Sequence, residues 1–95
     1  MIRGTTPSGF AFEVNENLLT DFRFVEALAD MESEDAGAVA RGSVAAVDLI
    51  FGRQGKKALY AHVTAADGTI PTERVMEELT EILKFAGEQE RGIKN

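Results

Sequence analysis

Residues 2–14 read IRGTTPSGFAFEV and join a tight turn to an alternating apolar stretch. Pro7 fixes φ at a turn value and Gly9 accepts positive φ, so a turn is predicted between two short strands. After this turn, every second residue is apolar, namely Phe10, Phe12 and Val14. This period is typical of a half-buried strand and predicts an N-terminal β-hairpin over residues 1–14. Because two strands alone are only marginally stable in water, the apolar face of the hairpin must pack on helices.

Helical periodicity follows the hairpin and predicts about four helices. The first begins at Thr20 or Asp21 and ends near Met31. The second and third helices cover residues 38–51 and 54–65, with Gly52 as the residue that ends the second. The fourth begins at Pro71 or Thr72, since proline suits a first helical turn, and runs to about residue 87.

Each predicted helix has an apolar face that we expect to pack in the core. On the first helix this face is Leu18, Phe22, Val25, Leu28 and Ala29, with Phe24 off the face. On the second it is Ala40, Val44, Val47, Ile50 and Phe51, and on the short third helix Leu59 and Val63. The last helix has the longest stripe, formed by Val75, Met76, Leu79, Ile82, Leu83 and Ala86.

The predicted fold class is therefore α+β and mainly helical. With 95 residues, the chain is long enough for one modest core and too short for two. We expect a single domain, 1–95, with the hairpin at 1–14, a helical core at 15–87 and a frayed tail at 88–95.

Composition excludes several classes of function. The formal net charge of −6 argues against nucleic acid and anionic membranes as partners, since both attract basic surfaces. The absence of cysteine excludes disulfides, thiolate catalysis and Cys-based zinc sites. The sequence has no apolar run of the ~20 residues that a membrane span needs. The first residues lack the apolar stretch of a signal peptide, so a cytoplasmic location is expected.

Motifs that bind metal or phosphate are incomplete in this sequence. Asp67-Gly68 resembles the centre of a calcium loop, but that register places Val63, Ala65 and Arg74 where oxygen ligands are required. A plain turn is predicted there instead. The run at 52–57, GRQGKK, lacks both the first glycine and the Ser/Thr of a phosphate-binding loop.

Catalytic groups are also sparse. His62 is the single histidine, and a half-exposed helical position is expected for it. A Ser–His pair would need a serine brought from elsewhere in the chain, and no strand–turn–helix elbow surrounds Ser8, Ser33 or Ser43. Glu77 and Glu81 lie one turn apart and predict a solvated helix face. We therefore expect no catalytic, cofactor-binding or metal-binding residues.

Charge and aromatic content suggest association between copies of the chain. Residues 13–35 hold eight acids and one base, whereas residues 41–62 hold four Lys/Arg and one acid. Two solvated faces explain this pattern, and so do complementary patches between copies. Six phenylalanines in so short a chain favour some apolar surface left for a partner. A homo-oligomer, as a ring or a helical array, is therefore predicted.

Five stretches carry a resemblance to a known family. They are residues 2–13 (IRGTTPSGFAFE), 21–29 (DFRFVEALA), 57–63 (KALYAHV), 67–73 (DGTIPTE) and 76–82 (MEELTEI). Together they span nearly the whole chain, which resembles a small tail assembly chaperone of a siphophage or prophage of Gram-positive type.

The resemblance implies a non-enzymatic protein of the bacterial host cytoplasm that is absent from the mature virion. Such chaperones bind the phage tape measure protein, keep it soluble and help to recruit the tail tube protein. No cofactor is implied. On this interpretation, the last helix and the end of the second line a groove for a client helix. The candidate partner-binding residues are Phe51, Leu79, Ile82, Leu83 and Phe85.

Two other classes remain open. A small acidic regulatory or interaction module fits the same composition. An acyl carrier protein is a further four-helix alternative, but it needs a serine within Asp-Ser-Leu at the start of the second helix. Ser43 lies within Arg41-Gly42-Ser43-Val44 and has neither neighbour.

Overall fold

An antiparallel hairpin opens the fold. The structure, a computed structural model, describes the backbone of residues 1–94 and the side chains of residues 1–88. Strands β1 (Ile2–Thr5) and β2 (Ala11–Val14) pair with Ile2 opposite Val14. In the turn, the Gly9 N–H donates to the Thr6 carbonyl at 2.9 Å, and the φ of Gly9 is +93°. Phe12 and Val14 are buried while their neighbours are exposed, so the alternating pattern and the hairpin are confirmed.

Helices make up most of the remaining chain. They are α1 (Phe22–Met31), α2 (Ala36–Val63) and α3 (Thr72–Lys94), and a short 3-10 turn at Leu18–Thr20 precedes α1. The mainly helical α+β class is therefore confirmed. Residues 1–94 contain three continuous helical elements where about four were expected, and the longest, α2, contains two helical segments that meet at Gly52.

The difference arises at Gly52, which joins the predicted second and third helices. It has φ +65° and ψ −171°, values that are not helical, inside the element that forms α2. Lys56 Nζ lies 2.6 Å from Asp48 Oδ1 across this glycine. In a straight helix, eight residues rise about 12 Å, so the chain must bend sharply at Gly52. The predicted break is therefore present, and the two helical segments of α2 follow one another at Gly52 without a loop between them.

The starts of α1 and α3 agree closely with the sequence patterns, whereas α3 continues beyond its expected end near residue 87. Asp21 caps α1, and its side chain accepts a hydrogen bond from the Arg23 N–H at 2.9 Å. Helix α3 begins at Thr72 and continues to Lys94. The predicted frayed tail, 88–95, thus overlaps a helical segment as far as residue 94, and Asn95 lies outside the described residues.

The core lies between the hairpin and the three helices. Its largest fully buried side chains are Phe24, Leu59, Leu79, Ile82 and Val14. The hairpin is attached to α3 through Phe12 and Phe85, whose rings meet edge to face at 5.4 Å. A Cβ on Gly4 would lie 2.8 Å from Phe12 and 3.0 Å from Phe85, so this glycine makes room for the aromatic pair.

The apolar face predicted for α1 is wrong in part, since Leu18 and Leu28 pack in or against the core but Phe22 and Val25 do not. Phe24 is fully buried, whereas Phe22 is 77% exposed and Val25 is 45% exposed. The buried face consists of Phe24 and Ala27, with Leu28 and Met31 partly buried against the core. Ala27 is small enough to let α1 approach α2 closely, and this contact decides which of the two apolar faces turns inward.

The corresponding contact on α2 is made at Gly42. A Cβ there would lie 2.6 Å from the Ala27 carbonyl oxygen and 2.8 Å from the Met31 backbone nitrogen. Since α1 occupies this face, the predicted apolar face of α2 is only partly buried: Val47 and Ile50 are in the core, but Val44 is 62% exposed.

A helix that spans a membrane needs about 20 consecutive, predominantly apolar residues. Within the described residues, no helix combines the length and the apolar character required to cross a bilayer.

Candidate functional site

The five predicted partner-binding residues do not form one surface. Leu79 and Ile82 are 1% and 0% exposed, so they belong to the core. Leu83 and Phe85 are half-buried against that core, and Phe85 covers Phe12. Phe51 lies elsewhere, with its ring packed edge to face on Phe10 at 6.0 Å. The side chains of α3 expected to face a client therefore hold the hairpin and helices together.

Phe51 borders a cleft between the hairpin and the bend of α2, here called the hairpin cleft. It has a volume near 940 Å³. Phe10 and Phe12 lie in its lining and are already buried, and Arg3 and Glu13 form an exposed ion pair at 3.2 Å on its border. Met1 also lines this cleft and is exposed, so the uncovered apolar side chains of the cleft lie at its edge.

A second, more apolar depression lies between α2 and the start of α3, here called the α2–α3 groove. Its volume is near 580 Å³. Its large apolar lining side chains are Val39, Val44, Val47, Tyr60, Ile70, Val75 and Met76. Three of them, Val44, Tyr60 and Ile70, are among the six exposed large apolar side chains of residues 1–88. This groove is the largest concentration of exposed apolar side chains on the described surface.

The bend at Gly52 produces the groove. Val44 and Tyr60 would be about 24 Å apart along a straight helix, yet both line this one depression. Asp48 also lines the groove, and its hydrogen bond and negative charge raise the pKa of Lys56. The bend thus closes one side of the groove with an ion pair.

Acidic side chains border the groove along α3. Glu73 and Glu77 line a neighbouring shallow cleft that shares Thr72 and Met76 with the groove. Glu81 extends the same row by another turn. All three glutamates are at least partly exposed, so their charges face solvent beside an apolar depression.

A polar cluster, buried at Thr6 and Glu78 and exposed at Ser8 and His62, ties the hairpin turn to the helices. Glu78 is 5% exposed and accepts hydrogen bonds from Thr6 Oγ1 at 2.6 Å and Ser8 Oγ at 2.8 Å. His62 Nε2 lies 2.9 Å from Ser8 Oγ, and its ring packs on Phe10 at 5.3 Å. The sequence reading missed this meeting of Ser8 with His62. Glu78 could have been found, because it lies three residues after Val75 and four before Ile82, on the apolar side of α3.

The hydrogen-bond directions in this cluster differ from those of a nucleophilic serine. Ser8 has one hydroxyl proton and donates it to the Glu78 carboxylate, so His62 Nε2 must donate to Ser8 Oγ. A histidine base would instead accept the serine proton and be oriented by the carboxylate. As arranged, the cluster holds the hairpin turn against α2 and α3.

The turn at Asp67-Gly68 and the serine at residue 43 make hydrogen bonds that stabilise the local backbone. Thr69 N–H and Oγ1 both donate to Asp67 Oδ1, which lowers the pKa of Asp67, and Gly68 has φ +87°. The turn predicted at Asp67-Gly68 is therefore confirmed. Ser43 lies within α2, where its hydroxyl donates to the Val39 carbonyl at 2.8 Å. No group of three or more His, Asp or Glu side chains in the described part of the chain is placed to hold a metal ion.

Comparisons with protein-family models, curated proteins and solved structures give no match for this chain.

Proposed function

We propose that this protein is a non-enzymatic tail assembly chaperone that binds a tape measure protein and keeps it soluble. The α2–α3 groove is the observation that carries the proposal. It presents Val44, Tyr60 and Ile70 to solvent in one open depression. A helix with apolar residues at i, i+3, i+4 and i+7 has a complementary stripe, and its burial there would remove apolar area from water on both partners.

The binding surface proposed here replaces the one expected from the sequence. Leu79 and Ile82 are enclosed by the fold, and Phe85 is occupied by Phe12. Val44 and Tyr60 meet the physical requirement of a client site, since their apolar atoms are accessible without opening the core. The proposed chaperone works in the host cytoplasm, aids recruitment of the tail tube protein and is absent from the mature virion.

Self-association is proposed through a different surface, the outer face of α1, formed by Phe22, Val25 and Ala29. All three side chains are exposed, and Phe22 is the most exposed of the large apolar residues. A second copy would cover this apolar patch, which has no covering partner within residues 1–88. Neighbouring acids on α1 and the bases of residues 53–57 supply opposite charges for such a contact.

Co-expression with a fragment of the tape measure protein tests the client site. Val44→Glu places a charge in the groove, and we expect at least a tenfold loss of affinity and an insoluble client. The matched control is Ala61→Glu, which adds the same charge at an exposed position of α2 outside both proposed surfaces. Both variants should melt close to the parent chain, since neither side chain is in the core. Equal client solubility with the two variants would show that the groove is not the client site.

A further inference from the structure

We infer that the α2–α3 groove selects amphipathic helices that carry basic residues beside their apolar stripe. The inference rests on the proposed function, in which a helix occupies this groove. It concerns the charge of the occupant, which the apolar lining alone leaves open.

Some acidic side chains at the groove border are in ion pairs within the chain, and others are not. Asp48 is hydrogen-bonded to Lys56 at 2.6 Å, so its charge is largely neutralised within the chain. Glu73 and Glu77 lie along the α3 side of the groove and have no ion-pair partner within 4.0 Å among the described side chains. The unneutralised charge along this side is therefore negative.

The spacing of these acids matches that of a helix partner. Glu73, Glu77 and Glu81 follow one another at every fourth residue of α3, so they form a row along one side of the helix. Thr72 and Met76, which border both this row and the groove, place the carboxylates next to the apolar lining. A client helix in the groove would then place its flanking side chains within reach of the row. Lysine or arginine in that flank would be attracted, and glutamate would be repelled.

The charged residues that line the groove and the neighbouring shallow cleft are all acidic, namely Asp48, Glu73, Glu77 and Glu81. Asp48 is engaged with Lys56, which leaves the three glutamates of α3. Arg74 lies with Ser8, His62 and Glu77 in a different cleft. The two linings are therefore net acidic, and the inference follows from this balance.

Two designed peptides of equal length test the inference. Both carry leucine at i, i+3, i+4 and i+7, and they differ only in having lysine or glutamate beside the stripe. We expect the lysine peptide to bind the full-length chain about fivefold to tenfold more tightly, in line with two exposed ion pairs gained or lost. The double variant Glu73→Lys/Glu77→Lys should remove or reverse this preference.

A matched control separates local charge from the overall charge of −6. Glu16→Lys/Glu88→Lys changes the net charge by the same amount at exposed positions outside both the groove and helix α1. This control should keep most of the preference for the lysine peptide. A preference that falls equally in the two double variants would overturn the inference and leave the groove as a client site. Failure of either peptide to bind would overturn the inference and also count against the proposed function.

Discussion

At the scale of single residues, the closest contact between helices depends on Gly42. The missing side chain lets the Ala27 carbonyl and the Met31 nitrogen of α1 approach the backbone of α2. Backbone atoms cannot rotate away as the tip of a side chain can, so a larger residue would push α1 outward. Glycine at residue 42 therefore lowers the helix propensity of α2 but allows the two helices to pack closely.

We expect Gly42→Ala to lower the free energy of unfolding by about 2 kcal/mol, because overpacking outweighs the better helix propensity of alanine. Gly87→Ala is the control, since a Cβ at that position of α3 meets no atom within 4 Å. It should raise stability by up to about 1 kcal/mol through helix propensity alone. Urea unfolding followed by circular dichroism measures both changes. Stabilisation by both substitutions would contradict the close contact between α1 and α2.

The hydrogen bonds of Glu78 give a second prediction about stability at the scale of single residues. Its carboxylate accepts hydrogen bonds from both Thr6 and Ser8 in a buried site. Glu78→Ala leaves the buried Thr6 hydroxyl without its acceptor, and we expect a loss of about 2 kcal/mol in unfolding free energy. The neighbouring exposed Glu77→Ala should change stability by less than about 0.5 kcal/mol. Similar thermal melts for the two variants would mean that the cluster does not stabilise the hairpin.

At the scale of elements, the sequence predicted where strands and helices occur better than which helix face packs in the core. The hairpin could be predicted because a period of two leaves one choice: Phe12 and Val14 point inward together. Helix α1 has two apolar faces, one with Phe22 and Val25 and the other with Phe24 and Ala27. The choice between them depends on the contact with Gly42, which is distant in sequence and therefore invisible to local periodicity.

The groove could not be predicted for a related reason. The sequence predicts that a helix ends at Gly52, but the backbone angles of Gly52 decide the direction of the segment that follows. The bend brings Tyr60 beside Val44, and no sequence pattern contains that contact. The calcium-loop motif at Asp67-Gly68 could be excluded from the sequence, because the residues at its ligand positions have no suitable oxygen atoms.

The bend in α2 gives the prediction at this scale. An L-residue with a side chain is strained at φ +65° and ψ −171°, so Gly52→Ala should destabilise the fold by about 2 kcal/mol. Gly37→Ala is the control within the same helix, because a Cβ there meets the flexible end of Arg41 at 3.3 Å. Chemical unfolding should show a clear loss for the first variant and little change for the second. Equal stability of the two would mean that the bend does not require glycine.

At the scale of the whole molecule, the two proposed partner surfaces lie on opposite sides of α2. Residues 42 and 44 are about 200° apart around a helix, and the first faces α1 while the second faces the groove. The outer face of α1 points away from α2, because Phe24 and Ala27 on its other side are buried. The apolar residues of the two proposed surfaces therefore do not overlap.

This separation predicts that self-association and client binding are independent. Phe22→Glu should reduce the oligomer to a monomer while leaving client affinity within about twofold, since the two sites share no residue. Val44→Glu should do the reverse, with client binding lost and the oligomer retained. Light scattering measures the mass of each variant, and titration with a labelled tape measure fragment measures affinity.

If Phe22→Glu also abolished client binding while remaining folded, the chaperone would need its oligomer to form the client site. If Val44→Glu alone yielded the monomer, the groove would be the contact between copies, and the outer face of α1 would be the surface left for the client.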